Sequence, residues 1–264
     1  MPKELRFALY AIKKNIQSSA ELRASFWLTV FGMAINNISF ILIWIFFIRL
    51  VGNVGGWTVA DIIGLNGFIG FGYGIGVSAG YGLRTLPEIV ASGSFDRFLL
   101  SPKNLIVRTA TSAFNASAVG DLLFGLLCLA IYCSLIGANL GQIFMILALV
   151  VITIVVFLAL TIAIYSTGFL FTDASNISNG IFETFFTPSL FNGGIFQGTV
   201  RFIYTYLIPT LLIGALPVEA VKYASWPTVG LIAALAVVWF GIALLVFRTA
   251  VRRYESANFM TFGN

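Results

Sequence analysis

Apolar and polar positions alternate along this chain in blocks, not residue by residue. Long runs of Leu, Ile, Val, Phe and Ala are separated by short polar connections. About 20 apolar residues, rising 1.5 Å each as a helix, cover roughly 30 Å of hydrocarbon. The long runs are therefore read as membrane-spanning helices. Residues 26–50 give the first, and residues 60–83 a second, Gly-rich one after a turn at Gly52, Asn53, Gly55 and Gly56. The third and fourth cover 109–136 and 141–171, joined by a tight turn at Gly137–Gly141. The last covers 228–247 and ends in Arg248, Arg252 and Arg253. Between the fourth and the last, 178–196 and 199–217 are both apolar enough to cross. If 178–196 crosses, 199–222 becomes a re-entrant hairpin broken near Pro209 and Pro217. Irregular backbone at that depth must be enclosed by protein or line a watery cavity. Either choice gives six crossings. The predicted fold class is an all-α membrane protein with six transmembrane helices, residues 1–264 forming one transmembrane domain.

The amino-terminal block has a different pattern. Over residues 3–23, Leu5, Leu9, Ile12 and Ile16 fall on one helical face, with Lys3, Arg6, Lys13, Lys14 and Gln17 elsewhere. That pattern predicts a basic amphipathic helix resting in the headgroup region; the plainer alternative is a polar leader before the first span. It does not resemble a cleaved signal, because its first apolar run comes late.

Composition agrees with the blocks. Hydrophobic residues make up 59% of the chain and charged residues 9%, where a soluble domain carries about a quarter charged. The net charge of +5 does not point to nucleic acid, since the basic residues sit in short connections and not along one face. They report orientation instead. With the amino terminus in the cytoplasm, the cytoplasmic set holds twelve: Lys3, Arg6, Lys13, Lys14, Arg23, Arg84, Arg97, Lys103, Arg108, Arg248, Arg252 and Arg253. Only Arg49 and Lys222 fall outside, with Arg201 ambiguous. Both termini are thus expected in the cytoplasm.

Chemistry is sparse. His is absent, which removes the commonest general base and metal ligand. Cys128 and Cys133 match no zinc or redox spacing. No G-x-x-x-x-G-K-[ST] loop is present to cradle ATP. No catalytic, cofactor-binding or metal site is expected in this chain. The N-x-S/T triplets at Asn37, Asn115 and Asn176 lie in or beside spans and are read as chance matches.

Three features stand out against that background. The connection at residues 84–103 is built as two short helices: Thr85 and Glu88 have capping-box spacing, Pro87 suits a first turn and Gly93 a helix stop. Ser94 is placed to cap a second helix through Phe95, Asp96, Arg97, Phe98 and Leu99, which must end before Pro102. Phe95, Phe98, Leu99 and Leu100 are expected on its surface, for a partner or for the membrane face. The second span carries Gly70/Gly74, Gly72/Gly76 and Gly76/Gly80 at small-xxx-small spacing. Such pairs serve close packing within one subunit or a dimer seam. Asn36 and Asn37 in the first span and Asp121 in the third are the polar residues at depth. Asp121 should face protein or a watery path, because an Asp at mid-membrane costs about 2.5–3.5 kcal/mol. It lines a pathway or holds two helices together. Glu183 is similarly placed only if 178–196 crosses.

These residues carry a resemblance. The segment ASGSFDRFLLSPKN resembles the cytoplasmic loop of the type-2 family of ABC transporter permeases, particularly a six-span bacterial subgroup, through Gly93, Asp96, Leu99, Leu100 and Pro102. The stretch FIYTYLIPTLLIGALPVEAV, with Pro209 and Pro217, is similar to the subgroup's penultimate region, and RRYESAN (Arg252 to Asn258) to its terminal signature. One departure is Phe191-Asn192, where members often have an aromatic-Pro pair.

The resemblance implies a permease subunit, in the bacterial cytoplasmic membrane, of an exporter driven by ATP. A second permease, identical or paralogous, and two cytoplasmic ABC ATPase subunits would complete it, with ATP and Mg held by the ATPase. Residues 3–23 would be the interface helix, and residues 86–102 the coupling loop, with Glu88, Gly93, Phe95, Asp96, Arg97, Phe98, Leu99 and Pro102 at the ATPase contact. Asn36, Asn37, Gly72, Gly76 and Asp121 are the pathway or helix-packing candidates. A charge-poor interior suits an amphipathic or hydrophobic substrate. The rival readings are a secondary transporter or channel, for which Asp121 is the main ionisable residue at depth, and a lipid-modifying enzyme, which the missing His argues against.

Overall fold

In the computed structural model described here, residues 3–52, 55–100, 102–171 and 174–254 are described. They form helices throughout. The amino-terminal α1 (Lys3–Glu21) leads into α2 (Arg23–Val51), α3 (Val59–Arg84), the short α4 (Leu86–Ala91), α5 (Asp96–Leu99) and α6 (Leu105–Ala110). Then come α7 (Ser117–Leu135), α8 (Leu140–Tyr165), α9 (Ala174–Phe186), α10 (Gly198–Phe202), α11 (Ala215–Lys222) and α12 (Trp226–Val251). Among the described residues, five stretches are long and apolar enough to cross a membrane: Arg23–Leu50, Val59–Ala91, Ser117–Leu135, Leu140–Phe169 and Trp226–Val251.

Local chemistry sets the ends of these helices. Thr58 and Asp61 form a reciprocal capping box at the start of α3, and Asn139 and Gln142 form another at the start of α8. Ser225 caps α12, whose first turn holds Pro227. The expected span 109–136 is shorter than the pattern predicts. Only its first two residues belong to α6, and the chain breaks over 111–116 before α7. Thr111 and Ser112 hydroxyls bond the Val107 and Thr109 carbonyls, and the Asn115 side chain accepts from the Ser117 amide at 3.0 Å. Such side chains compete with the helix ladder.

Helix α3 is the centre of the body. Its glycines face two neighbours at once. A Cβ on Gly72 would come 2.4 Å from Thr153 of α8, and one on Gly76 2.8 Å from Phe157. On the other side, a Cβ on Gly74 would sit 2.6 Å from the Leu122 backbone of α7. Helix α7 answers with Gly125, whose Cβ would lie 2.1 Å from the Phe71 nitrogen. The small-residue spacing therefore serves contacts inside one chain. Helix α2 is different: most of its apolar side chains, such as Leu28, Phe31, Ile35, Ile43 and Phe46, stay exposed.

Among the described residues between α8 and α12, no long helix forms. Helix α9 continues into a 3-10 turn, Thr187–Leu190. Together they run the length of the body. At one end Ser175 donates to Glu88 beside α4; at the other, Gly193 lies against Trp57 and Glu219, and Gly194 against Gly55. The chain then dips back. Helix α10 and a π turn, Ile203–Leu207, descend to Pro209. There Thr210 bonds the Phe185 carbonyl and the Ile213 carbonyl accepts from Thr153, midway along α8. Helix α11 returns to the starting end. The segment 199–217 is thus a hairpin that turns beside the middle of α8, broken by the extended Ile208 before Pro209 and by Gly214. Two ion pairs hold it: Arg201 with Glu219, and Lys222 with Asp61 at the start of α3, 2.7 Å apart.

Asn192 sits where the hairpin begins. It is fully buried, and neither side-chain polar atom has a hydrogen-bond partner. Its backbone (φ −63°, ψ 145°) follows an extended Phe191, a geometry that proline adopts without strain. We expect Asn192→Pro to stabilise the protein by about 1 kcal/mol or more, through lower unfolded-state entropy and removal of an unsatisfied amide. Thermal unfolding of the detergent-solubilised protein measures this as a raised Tm. Gly125→Val should do the reverse, costing about 1–3 kcal/mol or more by forcing α7 off α3.

Candidate functional site

Two places gather the residues that carry chemistry: the connection from α4 to α6, and a cavity beside α2.

The connection is stapled down. Gly93, at φ +69°, turns the chain after α4 in a conformation that suits glycine. Pro87 packs on Gly168, where a Cβ would come within 2.9 Å of the proline. The Phe95 ring lies 4.8 Å from Phe169, 5.1 Å from Tyr254 and 5.9 Å from Phe98, centroid to centroid. Tyr254 donates to Asp96 at 2.9 Å. Burial, then the Asp96 carboxylate, push the Tyr254 phenol up to about 12, so it remains a donor at neutral pH. Arg108 donates to the Arg97 and Phe98 carbonyls, closing the end of α5, and lies 5.0 Å from the Phe98 ring.

This placement corrects three sequence expectations. Phe95 and Phe98 are buried and present no side chain outward; the exposed pair is Leu99 and Leu100, at 48% and 86%. Aromatic rings at the helix ends provided a better place for the two phenylalanines than water did. The capping box at Thr85 and Glu88 does not form, because the Thr85 hydroxyl bonds the Gly82 carbonyl and Glu88 accepts from Ser175. Ser94 does not cap α5, which begins one residue later, after Phe95. Glu88, Arg97, Leu99 and Pro102 are each exposed. Ser101 falls outside the described residues, as do residues 255–258 of the terminal signature.

Arg84 is a residue that sequence reasoning took only as an orientation marker. It stands at the end of α3 and donates to Tyr165 of α8 at 3.0 Å and to Tyr73 at 2.9 Å. Its guanidinium lies 4.9 Å from the Phe182 ring of α9, and Tyr165 passes the chain of bonds to Asn179 of α9 at 2.8 Å. One cation thus joins three helices directly above α4. The available signal was an Arg directly ending a glycine-rich apolar run.

The cavity, of about 190 Å³, lies between α2, α3, α7 and the 3-10 turn after α9. Asp121, almost completely buried, accepts from Asn37 at 2.7 Å through one carboxylate oxygen; the other has no partner. Asn37 and Asp121 thus bridge α2 and α7, while Asn36 is exposed at the rim. Gly72 and Gly76 face α8 and are not part of this cavity.

The helical architecture, the apolar spans and the structured connection define a multi-pass membrane protein. The sequence matches the ABC-2 family transporter protein over residues 33–258, and the chain belongs to that family. It is therefore a membrane component of transport, and the family implies an ABC transporter with an ATPase partner. No curated protein matches the chain, and no solved structure does.

Arg84→Lys keeps the charge but cannot reach both phenols as a planar fork does. We expect it to cost about 1–3 kcal/mol and to lower Tm, read by tryptophan fluorescence during heating.

Proposed function

We propose that this chain is the permease subunit of an ATP-driven exporter, working by alternating access on an amphipathic or hydrophobic substrate. The observation that carries this reading is the connection from α4 to α6. It is stiffened by the Phe95 cluster, joined to α3 through α4, and shows Leu99 and Leu100 outward. A ligand-driven shift is limited by differential affinity for two states, so a slack contact would waste it.

In this reading the α4 end faces the cytoplasm of a bacterial cell, with both termini there, and residues 86–102 seat in the ATPase. ATP and Mg are held by two ATPase subunits and by none of this chain's residues. Helix α9 with its 3-10 extension is the fifth of six crossings, and residues 198–222 form a re-entrant hairpin on the outer side. Arg201 then joins Arg49 and Lys222 outside, and the twelve cytoplasmic cations still dominate. Helix α1 is the interface helix: Phe7 and Asn15 hold it to the body, through Lys103 and Thr111, while Leu5, Leu9 and Ile16 stay exposed. A second permease, identical or paralogous, covers α2. The exposed Asn36 supports that, because an amide facing lipid at mid-span is costly.

The test is Leu99→Ser with Leu100→Ser, co-expressed with the cognate ATPase. Because both side chains are exposed, Tm should move little, within roughly 0.5 kcal/mol per site. Co-purification of the ATPase should fall at least tenfold. In parallel, a cysteine introduced at Ser92 should react with a membrane-impermeant maleimide only from the cytoplasmic side. Undiminished ATPase capture, or labelling from outside, overturns the assignment. Solute movement by the purified permease without nucleotide would favour the secondary-transporter reading instead.

A further inference from the structure

The cavity beside α2 has a chemistry of its own. Its walls include four aromatic rings, Phe40, Tyr73, Phe124 and Phe186, together with the Asp121 carboxylate. One Asp121 oxygen is engaged by Asn37, and the second is buried with no partner. Among the described residues, neither ion pair involves Asp121. Arg84, which touches the cavity wall through Tyr73, is committed to the Tyr73 and Tyr165 hydroxyls. Asn66 spends its amide nitrogen on the Ile62 carbonyl at 2.9 Å, which leaves its acceptor oxygen for a ligand.

A buried carboxylate oxygen without a partner is costly, and a cation brought to it recovers that cost. Aromatic faces attract the same kind of ligand through their quadrupoles, most strongly when water is excluded. A free metal ion is a poor fit, since one carboxylate among aromatic rings cannot supply the six or more oxygens that hard cations take. At about 190 Å³ the space corresponds to roughly six water volumes of ~30 Å³ each, enough for an alkylated ammonium group but not for a whole lipid. The rim lies at α2, whose outer face in the single subunit is apolar and exposed, so an attached hydrocarbon tail can run along α2 toward the second permease.

We propose that this cavity binds the positively charged alkylammonium group of an amphipathic organic cation, with Asp121 as counter-ion and the four rings as walls. The site names the substrate class of the proposed permease and rests on that reading. Its test needs no ATPase, so failure here leaves the ATPase-capture experiment standing, and the reverse also holds.

The experiment measures binding of phenyltrimethylammonium to the full chain in lipid nanodiscs by titration calorimetry. Empty nanodiscs serve as the blank, and tert-butylbenzene is the uncharged isostere. We expect saturable binding of the cation, at least tenfold tighter than the isostere. Asp121→Asn, which keeps the Asn37 hydrogen bond possible, should weaken it at least tenfold, and Phe124→Leu several-fold. Equal binding of the two probes to the unaltered protein would overturn the proposal without any variant. So would absence of saturable binding, or retention of full affinity by a folded Asp121→Asn protein.

Discussion

Close backbone approach around α3 is the constraint from which the rest of this structure follows. In hydrocarbon there is no hydrophobic gain from helix association, so contact area and backbone proximity must hold the bundle together. Alternating glycines let α7 and α8 settle on opposite sides of one helix. Once those three helices are fixed, their ends define where everything else goes. Asp61 at one end receives the hairpin through Lys222, and Arg84 at the other receives α8 and α9. The stapled connection is the continuation of that same helix.

The two ends are held differently, and each by groups suited to its role. Where the hairpin docks, opposite charges pair at close range, and the basic residues contribute little net field. Where the connection docks, aromatic rings pack on one another, and hydrogen bonds such as Tyr254 to Asp96 and Arg108 to the Arg97 and Phe98 carbonyls fix their orientation. Rings packed edge to face define position without relying on charge.

Much of the fold was legible in the sequence because hydropathy at block scale is a strong signal. The apolar runs at 26–50, 60–83, 141–171 and 228–247 each lie within or across one observed helix and its extension. What stayed ambiguous, 178–217, is largely apolar yet broken into short pieces, and hydropathy does not see Pro209 or Gly214 as a turn. The candidate residues were partly legible. Asp121 and Asn37 drew notice as polar groups at depth, but that they meet depends on α2 packing against α7, which no local pattern encodes. Phe95 was misjudged as a surface group, because the rings that bury it, Phe169 and Tyr254, lie far away in sequence. Arg84 looked like a charge in a loop until its tyrosine partners were in place.

The near-continuity of α3 and α4 has a mechanical side. Val59–Ala91 spans 33 residues, about 50 Å of rod at 1.5 Å per residue. Pivoting such a rod by roughly 10° about its middle swings each tip by about 4 Å, more than the width of a side-chain contact. Because α7 and α8 are seated in its glycine notches with no slack, they must swing with it as one block. Helix α2 is seated on α7 by the same means, since a Cβ on Gly120 would come 2.5 Å from the Val30 carbonyl, and the bond from Asn37 to Asp121 lies across that contact.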